Sequence, residues 1–528
     1  MARAQIIVDR DFVLADLDRR VFGTFVEHLG RCVYGGIYEP GHPTADENGF
    51  RGDVMELTKE LGATIVRYPG GNFMSGYNWE DAVGPAENRP KKLDLAWFST
   101  ETNQFGTNEF MDWCRKTEIE PMLGVNLGTR GADEAREFLE YCNHPGGSHF
   151  AEMRKSHGYD EPHDVKFWCL GNEMDGPWQI CQKTAEEYGR VALETAKVMR
   201  WLDPTLTLSA CGSSHRQMPT YGSWEYEVLD HCYEQVDFIS LHTYFANKAD
   251  DIEDYFGVID QMDSFIKEVV AICDAVGAKK RASKRIMLSF DEWNVWYKAH
   301  TIEHMRKPGW PEAPALLEEI YNVEDALVVG GALITLINNA DRVKTACIAQ
   351  LVNVIGPIMT ETGGPAWRQT IFHPFALSSR YGHGRVMRTE VRTPNFSTKT
   401  VPEAPLLVAA VVDDPTTGRN TVFALNRSVS ESLDLEVELR GLGTGRRLVE
   451  ACELHNANLK ATNTKAAPNN VVPQQNRDVS VEGERLRVKL KPLSWNVIVT
   501  EAEPVSLVPG ADARLETGTA PEPRPQAT

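Results

Sequence analysis

From about residue 20 to about residue 355, short runs of consecutive apolar residues alternate with segments whose apolar positions recur every three to four residues. The runs predict buried strands, and the segments between them predict amphipathic helices. The predicted strands are Val21–Val26, Thr64–Tyr68, Pro121–Asn126, Val165–Leu170, Leu206–Ala210, Phe238–His242, Arg285–Phe290 and Ala346–Val352. Helical patterning covers Asp53–Leu61, Glu109–Thr117, Ala185–Leu202, Phe265–Val276 and Val323–Asn338. Eight strands with helical crossovers are the count of a (β/α)8 TIM barrel, an α/β fold. A doubly wound open sheet also alternates, but it usually has fewer strands, and no Gly-rich phosphate loop follows the first strand here.

After about residue 385 the pattern changes to short alternating runs without helical periodicity: Leu406–Val412, Thr421–Leu425, Leu433–Leu439, Arg446–Leu454, Val479–Val481, Leu486–Leu490 and Trp495–Thr500. These predict an all-β sandwich. The expected division is a catalytic barrel over 18–384 and a sandwich over 385–502. The segment 1–17 supplies a further strand to the sandwich, and 503–528, rich in Pro, Ala, Glu and Thr, is expected as a disordered tail.

Two strand ends carry the chemistry. Phe167-Trp168-Cys169-Leu170 runs into Gly171-Asn172-Glu173, and Ile286-Met287-Leu288-Ser289-Phe290 runs into Asp291-Glu292-Trp293-Asn294. Either glutamate alone is explained equally well as a helix N-terminal acid or a surface ion pair. Two of the same form, at the ends of the fourth and seventh strands, fit the paired carboxylates of a retaining glycoside hydrolase, because barrel strand ends converge on one face. Other strand ends add polar groups: Glu27-His28 after the first, Arg67 and Asn72 around the second, His242-Thr243-Tyr244 at the sixth, Gln350 and Asn353 in the eighth. An arginine beside a carboxylate nucleophile supplies a counter-charge, and a tyrosine hydroxyl can orient it. Arg67 could equally be a structural ion pair, and His28 or His242 a satisfied core histidine.

Composition narrows the class. The net charge of −20 argues against nucleic acid or an anionic membrane as a partner, and does not bear on neutral sugars. No apolar run is long enough to span a bilayer, and the N-terminus lacks the apolar core of a secretory signal. The 10 cysteines are scattered without paired spacing, which reads as buried free thiols in a reducing compartment. The expected location is therefore cytoplasmic. No H-x-H follows the first strand, so neither a metal nor a cofactor is expected.

The chain resembles the α-L-arabinofuranosidases of glycoside hydrolase family 51. The likeness rests on Trp168–Gln179, which resembles the acid/base motif, on Asp291–Tyr297, which resembles the nucleophile strand, and on Phe22–Tyr38, Arg67–Phe73 and Pro492–Ile498. It covers nearly the whole chain except the tail. The resemblance implies a (β/α)8 barrel with a jelly-roll-like sandwich and double displacement through a covalent glycosyl-enzyme. It implies Glu173 as acid/base and Glu292 as nucleophile. It makes Glu27, Arg67, Asn72, Trp97, Asn172, His242, Tyr244 and Gln350 substrate-binding candidates, with Trp178 near the site. The implied activity is exo-acting removal of terminal arabinofuranosyl residues from arabinan or arabinoxylan oligosaccharides, by a metal-free homo-oligomer, often a hexamer. The chain departs from the family pattern at Tyr244-Phe245-Ala246-Asn247-Lys248, where a second tyrosine and a glycine are expected, so the edge of the pocket is expected to differ.

Three alternatives stand beside this reading. A β-glycanase would use the same chemistry in an open cleft, whereas the long loops Gly35–Phe50 and Tyr77–Asn103 favour a walled pocket and His300–Pro314 could shape its leaving-group side. A catalytically dead sugar-binding barrel would commonly have lost one glutamate. A metal-dependent hydrolase would need His and Asp clusters that the strand ends lack.

Overall fold

A computed structural model describes residues 2–297, 306–443 and 445–502. The expected tail, 503–528, lies outside the described residues, as does most of the first half of the expected loop His300–Pro314. Eight strands close into an all-parallel barrel: β1 (Gly23–Phe25), β2 (Ile65–Tyr68), β3 (Glu120–Val125), β4 (Phe167–Leu170), β5 (Thr207–Ala210), β6 (Phe238–Phe245), β7 (Met287–Val295) and β8 (Val343–Ile348). The barrel closes tightly at β1. A Cβ on Gly23 would lie 2.6 Å from both the Ala346 carbonyl oxygen and Ile65, so only glycine lets β8 and β2 approach there.

The sequence placed every barrel strand but misjudged some ends. Residues 19–22 form a 3-10 turn, so the first strand begins later than expected. Strand β6 continues through Tyr244 and Phe245, and β7 continues through Glu292 to Val295. Strand β8 stops at Ile348, so Gln350 and Asn353 sit in the following loop and not in the strand. The extensions of β6 and β7 come with breaks in register. Ser240 pairs with Ser289, but His242 pairs with Glu292, and the pairing of β7 with β8 shifts between Phe290 and Trp293. Such bulges re-aim side chains at a barrel rim. Helices Ala132–Asn143, His149–Ser156, Ser223–Cys232 and Phe372–Tyr381 lie outside the predicted segments, although Ala132–Asn143 buries one apolar face through Ala135, Phe138, Leu139 and Cys142.

The C-terminal part packs a five-stranded sheet on a seven-stranded one. The N-terminal strand Ala2–Asp9 lies inside the smaller sheet, parallel to Leu433–Arg440 and antiparallel to Glu390–Arg392. Its inward residues Ala4, Ile6 and Val8 join Val437, Leu486 and Ile498 in the sandwich core. The helix Val323–Asn338 is apolar on all sides because it is covered on all sides, by the barrel and by the sandwich. Gly330 lets it approach Trp495, where a Cβ would come within 2.5 Å of the indole. All ten cysteines are free. Cys181 is exposed and Cys452 half-buried, against the expectation of buried thiols, because Cys181 belongs to the loop after β4 rather than to a strand.

Ile6 is fully buried in the sandwich core. Ile6→Ala should therefore cost about 2–5 kcal/mol of stability, read as a lower urea midpoint, while activity per folded molecule at low temperature stays unchanged. An unaltered midpoint would mean that the N-terminal strand does not support the sandwich.

Candidate active site

The carboxyl ends of the barrel strands meet around a cavity of about 620 Å³, within the usual range for a small-molecule site. Glu173 and Glu292 both line it, and one carboxylate oxygen of each lies within 4.8 Å of the other. That spacing suits a direct nucleophile and an acid on the same glycosidic bond. It is too short for an inverting pair, which leaves about 6.5–9.5 Å for a water.

Glu292 is held from two sides. The Arg67 guanidinium donates to Oε2 at 2.9 Å, and the Tyr244 hydroxyl donates to Oε1 at 2.6 Å. Arg67 also donates to Asn172 Oδ1 at 2.7 Å and lies 4.8 Å over the ring of Phe25, so the guanidinium is fixed on several sides. Asn172 in turn donates to Asn72 Oδ1 at 3.3 Å. The β4 turn thus carries the acid into the cavity and an amide directly behind its wall. Gly171, at φ 87°, makes the turn possible, and Glu173 itself sits at φ 44°, a strained conformation for a non-glycine residue of the kind concentrated at functional sites.

Glu173 lies between His242, whose Nδ1 is 2.9 Å from Oε1, and Trp178, whose indole N–H donates to Oε2 at 2.6 Å. Burial raises the Glu173 pKa, and the negative charge of Glu292 raises it further. The bonds from His242 and Trp178 oppose both. The other ring nitrogen of His242 lies 3.0 Å from Asp291 Oδ1. Burial alone would lower the His242 pKa, but the surrounding charges of Glu292, Asp291 and Glu173 outweigh it and bring it to about 10. Asp291 is buried, which by itself would raise its pKa, yet Arg67 and His242 hold it below the usual range.

Among the described residues, Glu173, His242 and Glu292 form the one group with donor atoms spaced as for a metal ion. Both ring nitrogens of His242 face carboxylates, Nδ1 at 2.9 Å from Glu173 and Nε2 at 3.0 Å from Asp291, an arrangement that suits a doubly protonated ring better than a metal ligand.

On the opposite wall Glu27 accepts from the Phe73 backbone N–H and the Trp97 indole N–H, both at 3.0 Å, and from the Gln350 amide at 3.1 Å. Burial pushes its pKa to about 8. Gly71 leaves room for it, since a Cβ there would lie 2.5 Å from the carboxylate. Every site residue expected from the sequence is brought to this cavity or to its first layer of hydrogen bonds. Glu27, Asn72, Trp97, Glu173, Tyr244, Glu292 and Gln350 line it, and Arg67, Asn172 and His242 stand directly behind. His28 is a structural residue instead, bridging Glu101 and Tyr68 at 2.9 and 2.7 Å. Asn353 ties loop backbone together through Arg31 and Thr360.

Sequence reasoning assigned no role to Asp291, although the Asp-Glu pair was visible. Adjacent strand residues normally face opposite ways, and the register break lets both reach the same charge network. It also gave no role to His215, which stacks on Trp178 with centroids 6.0 Å apart. Of the two long loops expected as walls, Tyr77–Asn103 supplies Leu95–Phe98, whereas no residue of Gly35–Phe50 lines the cavity. Phe245, in the departing segment after Tyr244, lines it, as does Arg306.

Two family models match the chain: "Alpha-L-arabinofuranosidase 1 domain" over residues 57–256 and "Alpha-L-arabinofuranosidase C-terminal domain" over residues 291–494. The chain is 54% identical over 495 residues to an intracellular exo-α-(1→5)-L-arabinofuranosidase of Halalkalibacterium halodurans, covering 94% of this chain and 98% of that protein. It is 47% identical over 511 residues to an exo-α-(1→6)-L-arabinofuranosidase of Bifidobacterium longum, covering 94% and 97%. Among solved structures, a family 51 α-L-arabinofuranosidase from Bifidobacterium longum superposes with a TM-score of 0.90 at 44% identity, covering 94% of this chain and 99% of that one. The arabinose complex of the Thermotoga maritima α-L-arabinofuranosidase superposes with a TM-score of 0.84 at 34% identity, covering 94% and 100%. With a two-carboxylate barrel site, matching family models over most of its length and relatives this close, the chain belongs to the α-L-arabinofuranosidases of glycoside hydrolase family 51.

Proposed function

We propose that the protein removes terminal non-reducing α-L-arabinofuranosyl residues from arabinan and arabinoxylan oligosaccharides, with Glu173 as acid/base and Glu292 as nucleophile. The observation that carries this reading is the pair of carboxylates within 4.8 Å in a walled cavity, one supplied with Arg67 and Tyr244, the other with a raised pKa. Glu173 donates its proton to the departing oxygen as Glu292 attacks the anomeric carbon. The resulting ester cancels the charge of Glu292 and with it the repulsion on Glu173. Glu173 then takes a proton from water, which opens the ester with net retention. Glu27, Asn72 and Gln350 offer hydrogen bonds to the furanose hydroxyls, with Asn172 bonded to Asn72 from behind.

The (1→5) linkage is the preferred reading, since the relative named for it is more similar than the one named for (1→6). Release of arabinose from (1→5)-linked arabinobiose should exceed its release from an α-L-arabinofuranosyl-(1→6)-hexose disaccharide. Action in the cytoplasm on short imported oligosaccharides is supported by relatives named as intracellular. Among the described residues, no helix is long and apolar enough to cross a membrane. A homo-oligomer, read from family resemblance as a hexamer, should appear in sedimentation velocity as a single species well above 59.1 kDa.

Both Glu173→Ala and Glu292→Ala should lose at least about 10³-fold in kcat on natural oligosaccharides. On p-nitrophenyl α-L-arabinofuranoside, azide should rescue Glu173→Ala to give the α-azide, because azide opens the ester from the face that water would use. Rescue of Glu292→Ala should give the β-azide. Exchanged products would swap the two assignments, and a wild type inert on this substrate would overturn the sugar assignment.

The pH profile carries a second test. A proton must be present on Glu173 for donation, so activity falls as pH rises through its raised pKa. The basic limb of kcat/KM on the aryl substrate should therefore flatten in Glu173→Ala, and an unchanged limb would contradict the assignment. Tyr244→Phe removes one hydrogen bond to a charged carboxylate, worth about 1.5–3 kcal/mol, so kcat/KM should fall about 10–100-fold with little change in thermal stability.

A further inference from the structure

The long insertion after β2 folds back over the barrel mouth as a two-stranded hairpin, Lys92–Asp94 paired with Ser99–Glu101. Its four tip residues, Leu95 to Phe98, all line the cavity. Leu95 is 60% exposed, whereas Trp97 is 8% exposed and turned inward to donate its indole N–H to Glu27. A four-residue tip with one apolar side chain in water and Phe98 at φ 57° does not hold itself in this shape. On the outside Arg306 lies 4.3 Å over the Phe98 ring and Trp310 faces that ring at 6.1 Å, while from inside the turn the tip is held by Asp94. Its carboxylate accepts from Ala96 N at 2.9 Å, Trp97 N at 3.2 Å and the Ser99 hydroxyl at 3.4 Å, so one buried side chain satisfies the inside of the turn. This is the geometry of an Asx turn, in which a side-chain oxygen replaces a backbone carbonyl.

We propose that Asp94 is a positioning residue for the sugar pocket: it fixes the turn that presses the Trp97 indole onto Glu27, and so sets the orientation of the Glu27 carboxylate. Glu27 has three donors, and the other two come from the barrel side, Phe73 N and the Gln350 amide. Trp97 is the one donor that reaches it from the insertion. Orientation of Glu27 therefore depends on a segment that is not part of the barrel, and that segment depends on Asp94. The far end of the hairpin is anchored separately, since Glu101 faces His28 at 2.9 Å and accepts from the Asn103 N–H at 2.7 Å. Loss of Asp94 is thus expected to loosen the tip and leave the hairpin attached. Both carboxylate oxygens of Asp94 accept, Oδ1 from Ala96 and Oδ2 from Trp97 and Ser99, so an amide at this position keeps only one of the two acceptors.

The inference rests on the arabinofuranosidase reading, because Glu27 is taken there to hold the furanose ring. The test is a double-mutant cycle in kcat/KM on p-nitrophenyl α-L-arabinofuranoside, with Asp94→Ala, Trp97→Phe and the pair, and with Asp94→Asn as the conservative variant. Asp94→Ala and Trp97→Phe should each lower kcat/KM about tenfold or more. The double variant should fall little further than the worse single one, because both remove the same contact. Asp94→Asn keeps one of the two acceptor oxygens and should show a smaller loss, about threefold to fivefold, that disappears in the Trp97→Phe background. A purely structural role for Asp94 would instead lower thermal stability and give multiplicative losses in kcat/KM, or leave kcat/KM unaltered, and either result would overturn the inference. A wild type inert on the substrate would sink the functional reading first and is distinguishable on that ground. If Asp94→Ala does not fold, Trp97→Phe combined with Asp94→Asn gives the same comparison, since an additive loss there also contradicts the coupling.

Discussion

The site is organised by an excess of buried carboxylates over buried cations. Glu173, Asp291 and Glu292 share a desolvated pit with Arg67 and His242, and all five groups are within hydrogen-bond or ion-pair reach of one another through Arg67 and His242. Burying an unbalanced charge is costly, so the cluster is most stable when its charges sum to zero. Two cations against three carboxylates leave room for one proton among the acids. Asp291 is not where it resides, because it faces both Arg67 and His242 and its pKa is depressed. Glu292 has Arg67 and Tyr244. Glu173 has the raised pKa, and the balance places the proton there. On the proposed mechanism, glycosylation turns Glu292 into a neutral ester while Glu173 gives its proton to the departing oxygen, so the sum stays at zero and Glu173 is left ionised, ready to act as base. The same electrostatic sum accounts for both roles of one residue.

Much of the architecture serves to hold this cluster. His242 must touch Asp291 with one nitrogen and Glu173 with the other, while Glu292 approaches its Nδ1 to 3.6 Å. A regular pleat would turn Asp291 and Glu292 to opposite faces, so the register breaks in β6 and β7 are what let both acids act on the same histidine. Arg67 crosses from β2 and ties Glu292 to Asn172, so strand β7 and the turn after β4 are joined through one guanidinium. The opposite wall is built differently. Glu27 is oriented in part by the insertion, through the Trp97 indole, and the inside of the insertion's turn is satisfied by one buried aspartate.

The strand positions, the barrel, the sandwich and the two central glutamates were legible because each leaves a local signature: an apolar run of strand length, a change of period, a polar group at the end of a buried segment. The family resemblance added the binding residues one by one. What could not be read was set by geometry between segments. No pattern announces that β7 runs on past Phe290 with a bulge, so Asp291 appeared as a neighbour of Glu292 rather than as the partner of His242. Gln350 was placed in a strand because the apolar run continues through Leu351 and Val352, although pairing stops at Ile348. Nothing in the sequence marks Asp94, which is buried although Leu93 and Leu95 on either side of it are exposed.

The central claim is that Glu292 forms the bond to the sugar. Incubating Glu173→Ala with an arabinofuranoside that has a good leaving group should let the covalent species accumulate, because its hydrolysis lacks a base. Rapid acid quench, digestion and peptide mass mapping should then place one added pentosyl unit on the peptide containing Glu292. A label on Glu27 or Asp291, or steady turnover with no labelled peptide in an enzyme that is otherwise folded, would contradict the account.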